Sequence, residues 1–270
     1  MHANHEREES RNNLYDFNQS GNFDRPYVSV DILIFATDVS RSSLKILLHR
    51  RKEEPFSGCW SFPGRFVDVN ESAYVAACKE LQEQMGLEKG NVYLEQLYTF
   101  TQPDRDPRMR VIDIAYMALS PSIVVHKDPG DGEALWFDVK MTDEMISLTN
   151  TEKGINICYD LEINHFRNGK IQVTGAVPTP KTEEKFAFDH AEILYQGIRR
   201  LRSKILYTDV LFNLLPKQFL MKDIMDVYSL IMGKEVYQQQ IKRLYKDYLL
   251  QVDEYREGFG RPKKLYEYRP

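Results

Sequence analysis

The sequence predicts an α+β protein in two parts, a mixed sheet carrying one early helix and then a helix-turn-helix with two trailing strands. Three observations predict it. Apolar runs of strand length recur between residues 27 and 139, interrupted by one helical repeat. Two helical patterns near the end of the chain are separated by a short turn. Charge divides along the same line: residues 1–184 carry a net −9 and residues 185–270 a net +5, within a total of −4. A basic module on an acidic body is the footprint of a part that meets phosphates, although a merely solvated face reads the same way.

Residues 1–24 hold few apolar anchors and read as a flexible tail. Tyr27–Ala36 alternates and then runs apolar, as a buried strand does, and Leu44–Leu48 is a second strand. Gly58, Pro63 and Gly64 punctuate a loop around Trp60. From Glu71 to Met85 the period turns helical, with Ala73, Ala76, Ala77, Leu81 and Met85 on one face and Gly86 at the C-cap. Strands follow at Val92–Phe100, Val111–Leu119 and Ala134–Val139. Residues 142–184 read as an inserted hairpin, turning at Asn168-Gly169 between Leu161–Phe166 and Ile171–Val173, with a flexible exit over Pro178–Glu184. A helix over Asp189–Ile205, N-capped by Asp189, closes a first domain at 25–205. His190 beside that cap reads as a capping or packing histidine in preference to a catalyst.

The second domain is 206–270. Phe219–Met232 is amphipathic and stops at Gly233; Tyr237–Leu250 follows, with Ile241, Leu244, Tyr245 and Tyr248 inward. Val252–Tyr255 and Lys264–Tyr268 then flank a basic turn bearing Gly258 and Gly260. Helix, short turn, helix and two-stranded wing, in that order, make a winged helix-turn-helix.

Composition narrows the function further. A hydrophobic fraction of 42% excludes wholesale disorder. No apolar run approaches the ~18–20 residues that span a bilayer, so no membrane role is expected. The polar start is not a secretory signal. Cys59, Cys78 and Cys158 have neither the spacing of a disulfide framework nor that of a metal site, and read as buried small residues in a reducing cytoplasm.

The segment Gly64–Leu87, GRFVDVNESAYVAACKELQEQMGL, resembles the Nudix box, Gly-x5-Glu-x7-Arg-Glu-U-x-Glu-Glu-x-Gly-U with U a bulky apolar residue. Glu71, Glu80, Leu81, Glu83, Gly86 and Leu87 fall on the pattern, preceded by Trp60 and Pro63-Gly64. The resemblance implies an α/β/α sandwich with a mixed sheet. It also implies a helix whose Glu80 and Glu83 are catalytic and bind Mg²⁺ or Mn²⁺ if the site is active. Three positions depart from the pattern: Arg65 replaces its first glycine, Lys79 its arginine, and Gln84 a metal-binding glutamate. An amide is a poor ligand for a hard cation, so the metals are not required here. Lys79 can still pair with Glu71, without bidentate geometry. Arg105 and Arg108 in QPDRDPR can form a fork for phosphate or carboxylate groups, or can pair with their own aspartates. Arg50 and Arg51 reach toward an anionic ligand or simply into solvent.

A Nudix-like body followed by a winged helix resembles the Nudix-related, NrtR-like transcriptional regulators. That likeness rests further on Arg105–Arg108, Phe188-Asp189-His190, Leu214-Leu215-Pro216 with Phe219, and Gly260-Arg261-Pro262 with Leu265-Tyr266. It implies a homodimer that binds double-stranded DNA and senses an ADP-ribose-like nucleotide or a sugar. Gln238 and Gln239 would then face base edges in a major groove, or else only start a solvated helix. Lys242, Arg243 and Lys246 would reach bases or phosphates, and Arg256, Arg261, Lys263 and Lys264 on the wing the backbone. The alternative is a metal-dependent hydrolase, an ADP-ribose or nucleoside-diphosphate pyrophosphatase.

Overall fold

A computed structural model describes residues 25–86, 92–123, 133–256 and 263–270. One curled sheet runs through the first domain. Its strands are β1 (Tyr27–Thr37), β2 (Leu44–Arg50), β3 (Trp60–Ser61), β4 (Gly64–Phe66), β5 (Tyr93–Phe100) and β6 (Val111–Ser120). It continues with β7 (Ala134–Met141), β8 (Met145–Asn150), β9 (Ile155–Asn168) and β10 (Ile171–Pro180). The order is β10-β9-β8-β7-β2-β1-β6-β5, with β3 on β2 and β4 on β1. Among the described strand-to-strand ladders only β1 and β6 run parallel, which makes the sheet mixed.

β1 reads as a nearly unbroken apolar run because both of its faces are covered. Val30, Ile32 and Ile34 pack with Ala76, Ala77 and Leu81 of helix α1 (Ala73–Met85), while Leu33 and Phe35 pack with Ile193, Leu194 and Ile198 of helix α2 (His190–Lys204). Helices on both faces give the expected sandwich. Ser72 caps α1 by accepting from the Val75 N–H, and Gly86 ends it with a φ of 61°. Helix α2 lies so close to β1 that a Cβ on Gly197 would sit 2.1 Å from Leu33 Cδ2.

The second domain holds β11 (Gln218–Leu220), helices α3 (Met221–Met232) and α4 (Gln238–Tyr245), and wing strands β12 (Leu249–Arg256) and β13 (Lys263–Tyr268). These strands order β11-β13-β12. The two domains share one hydrophobic core, continuous from Phe35 through Leu211 and Phe212 to Ile224, Ile241 and Tyr245. Buried hydrogen bonds stitch it: Thr37 Oγ1 donates to the Leu214 carbonyl at 3.0 Å and Tyr245 Oη to the Ile205 carbonyl at 2.6 Å.

Several expectations are corrected. Residues 142–184 are no separate insert, since β8, β9 and β10 continue the sheet beyond β7. The hairpin pairs from Tyr159↔Pro180 to Asn168↔Ile171 and turns on Gly169-Lys170, one residue beyond the expected pair. Its exit is anchored: Trp60 N–H donates to the Lys185 carbonyl and Trp60 Nε1 to Glu184. The helix expected from Phe219 starts at Met221, because Gln218–Leu220 pairs with the wing. The helix expected to reach Leu250 ends at Tyr245, so Lys246 sits in a 3-10 turn and Leu249 already pairs with Tyr268. All three cysteines are free and only half-buried. The tail 1–24, Leu87, Gly258, Gly260 and Arg261 lie outside the described residues, as does the side chain of Arg256.

Candidate functional site

A cleft of about 860 Å³ opens between β1, β2, β4, α1, the 105–108 turn and the start of α2. Arg50, Arg51, Arg65, Glu80, Glu83, Arg105, Arg108, Phe188 and His190 line it. The structure thus brings together the box residues and the arginine-rich turn. Gly64 allows the close approach of β4 to β1, since a Cβ there would fall 2.2 Å from Asp31 Oδ1.

The floor is a buried ionic cluster. Arg105 forks onto Asp189, through Nε at 2.9 Å and Nη2 at 2.7 Å, and stands 3.6 Å from Asp31 and 3.9 Å from Asp113. Its side chain is 4% exposed. Of the expected alternatives the structure shows the carboxylate fork and the internal aspartate pairing, and Arg105 as a ligand-binding residue is corrected. Arg105 faces inward and is spent on carboxylates, and Arg108 is held by Asp106 at 2.8 Å, though it keeps 41% of its side chain exposed. Asp189 is likewise no capping side chain; it makes no cap bond to α2 because it serves Arg105. His190 packs as expected. The Phe62 N–H donates to its Nδ1 at 3.0 Å, which leaves the ring proton on Nε2, facing Asp31 at 3.3 Å.

Burial pushes the Asp31 carboxyl up, but His190 Nε2 facing it and the guanidinium of Arg105 outweigh it and hold Asp31 below the usual carboxylate range. Asp113 goes the other way. Burial and then the negative charge of Asp31 raise it well above its ordinary value, against the opposing pull of Arg105 and the Ser29 hydroxyl. Two like acids in one dry site are pushed apart in this way, one down and one up.

At the rim, Arg50 donates to Glu184 at 2.9 Å and lies over the Trp60 ring. Arg51 lies over Phe188 with its guanidinium carbon 4.9 Å from the ring centre, and burial and then the charge of Arg108 lower its basicity. Arg65 pairs with Glu83 at 2.9 Å, and Lys79 with Glu71 at 2.5 Å. Glu80 is buried.

The metal expectation can be tested on this donor set. Glu83 is engaged by a cation, Glu80 is buried, and position 84 is an amide. Among the described residues no group of three or more His, Cys, Asp or Glu is arranged to hold a metal ion. The residues do not fit Mg²⁺ or Mn²⁺, and no step through a metal follows. Asp31, Asp113, Asp189 and Glu184 were not anticipated as parts of the site. The available signal was a lone aspartate inside each of two apolar strands, VSVDILIFA and VIDIAYMAL, since a buried carboxylate demands a partner.

The second surface is basic. Gln238, Gln239, Lys242 and Arg243 are exposed on α4, as are Lys246 just beyond it and Lys263 and Lys264 on the wing. Lys242, Arg243 and Lys246 make no ion pair among the described residues. Arg202 of α2 joins the two surfaces, donating to the Met141 carbonyl of β7 at 2.5 Å and to the Ile231 carbonyl of α3 at 2.8 Å.

Comparison with known families matches the NUDIX domain over residues 25–153 and the NrtR DNA-binding winged helix domain over residues 211–268. The chain is NrtR-like, a NUDIX domain joined to an NrtR winged helix domain. Among curated proteins it is 24% identical, over 93% of its own length and 85% of the relative's, to the ADPR responsive transcriptional repressor NtrR of Acinetobacter baylyi. Its fold is similar to a MutT/nudix family protein from Enterococcus faecalis, with a TM-score of 0.76, 24% identity and 98% of each chain covered. It is also similar to Shewanella oneidensis NrtR complexed with a 27mer DNA, with a TM-score of 0.63, 22% identity, and 90% and 93% covered. No helix among the described residues is long and apolar enough to cross a membrane.

Proposed function

We propose that this NrtR-like chain is an ADP-ribose-responsive, DNA-binding transcriptional repressor, acting as a homodimer in the cytoplasm. The observation that carries the reading is the pairing of an NrtR winged helix with a NUDIX cleft whose donor set does not fit a metal. The Acinetobacter baylyi repressor, matched over nearly the whole chain, supports it and favours the nucleotide over a sugar. In the cleft, Arg108 and Arg51 supply charge for a diphosphate, and the exposed glutamines and cations of α4 face the DNA. Helix α2 links the two. Its N-terminus is tied to the cleft floor through Asp189 and His190, and its last turn holds α3 through Arg202. A ligand that displaces the floor therefore displaces the reading head, provided it binds the two head positions with different affinity.

Fluorescence anisotropy with duplexes from promoters next to the gene, titrated with ADP-ribose, tests this reading. The expected result is salt-sensitive binding to one promoter that ADP-ribose changes by five-fold or more. Equal affinity for that promoter and a random duplex would sink it. Hydrolysis is the weaker reading, because Arg65 and Gln84 stand where the chemistry needs bare backbone and a carboxylate. Mg²⁺-dependent cleavage of ADP-ribose that disappears in Glu80→Gln would restore it.

A further inference from the structure

Tyr237 stands immediately before α4 and is 81% exposed, the most exposed aromatic side chain among the described residues. Nearby tyrosines of the head are occupied. Tyr228 of α3 and Tyr245 of α4 are buried, and Tyr268 of the wing donates to Asp209. Tyr237 makes no hydrogen bond, ion pair or ring contact among the described residues. Its spacing of four from buried Ile241 would turn a helical side chain inward. Extended backbone, with φ −90° and ψ 145°, carries Tyr237 off that face instead. Val236 and Ile241, both buried, occupy the N′ and N4 positions of a hydrophobic staple and fix the angle at which the chain enters α4. The ring is therefore aimed outward by backbone anchored on both sides of it.

This placement has a cost. Tyr237 is the N-cap residue, where Ser, Thr, Asp or Asn would accept a helix N–H, and α4 has no side-chain cap bond. A hydroxyl needed only to meet a phosphate would come equally well from Ser or Thr, which would also cap the helix. The chain holds a ring there in place of a cap. We propose that the Tyr237 ring reads a thymine by packing on its 5-methyl group, which rests on the DNA-binding reading above. Gln238 and Gln239 follow it directly, and the exposed, unpaired Lys242 and Arg243 come one turn later. A duplex held by those side chains lies within reach of the ring. In the major groove the thymine methyl is the apolar group that a base edge offers, and phosphates present none. Ring and methyl then leave water together.

Fluorescence anisotropy tests this with the promoter duplex that the wild type prefers and a random duplex of the same length. Tyr237→Ala should weaken promoter binding about ten-fold and random binding less than two-fold, with the salt slope unchanged. Tyr237→Phe should bind as the wild type does. Tyr237→Ser should lose as much selectivity as Ala while melting no lower than the wild type, because serine restores the cap. Replacing each promoter thymine by deoxyuridine removes the methyl alone. At one thymine per half-site this should cost the wild type three-fold or more and Tyr237→Ala nothing. Equal losses on both duplexes, a Phe variant as weak as Ala, or no thymine whose methyl matters to the wild type alone would each overturn the proposal and leave DNA binding standing. A wild type with no promoter preference would overturn both.

Discussion

The cleft and the reading head carry similar basic side chains and use them in opposite ways. In the cleft Arg50, Arg65, Arg105 and Arg108 are each tied to a carboxylate of the same chain. On the head Lys242, Arg243 and Lys246 are exposed and pair with nothing described. The difference teaches what each site asks of a charge. A cleft that must recognise one small ligand needs guanidinium groups held in place, and holding them takes partners. A surface that meets a polyanion gains by keeping its cations solvated until counterions are released from the DNA.

The sharpest way to break this contrast is Arg105→Ala. It strands Asp31, Asp113 and Asp189 around a vacated guanidinium, and should cost about 3–5 kcal/mol in urea unfolding. An effect below about 1 kcal/mol would mean the cluster is wetter than its burial says. Next comes neutralising Lys242, Arg243 and Lys246 together to Gln. Affinity for the promoter should fall on the order of 100-fold and the salt slope by about 3, with unfolding unchanged. A loss of stability there would show that these cations are paired after all. Arg202→Met belongs to both regions. It should cost about 1–3 kcal/mol and weaken the response of DNA binding to ADP-ribose, while each ligand alone still binds.

The smallest effect is a dependence on pH. Asp113 is raised in the folded chain, so its contribution to stability is intact below the ordinary carboxylate value of 3.8 and is lost as pH rises toward its own folded value. Asp113→Asn keeps an acceptor for Ser29, and its melting point should gain on the wild type as pH climbs through that window, then hold level. Asp31 runs in the opposite sense, supporting the fold above the ordinary value and losing that support as pH falls. A melting difference that stays flat across the window would remove Asp113 from the account.

What was legible in the sequence was whatever repeats locally. The helical period over the box placed α1, Gly86 and Gly233 marked two helix ends, and apolar alternation placed β1 and β6. The head could be read because its helices and wing follow one another closely. The cleft floor could not, since Arg105 and Asp189 are 84 residues apart and meet only when β6 and α2 pack on β1. The same reason explains Asp189. Locally it is a good cap, but a buried guanidinium competes for its two oxygens and wins. The extent of the hairpin was missed because Pro178 and Pro180 suggest a break, whereas a proline on an open edge costs the sheet no hydrogen bond.

Thr37 and Tyr245, each bonded to a carbonyl across the domain boundary, have a consequence for modularity. A chain cut after Ile205 would bare Val210, Leu211 and Phe212 to water and leave Tyr245 without its acceptor. The head is therefore no transplantable cartridge. It should melt with the body in one transition, so a molecule that stiffens the cleft is expected to lend heat resistance to the helices of the head as well.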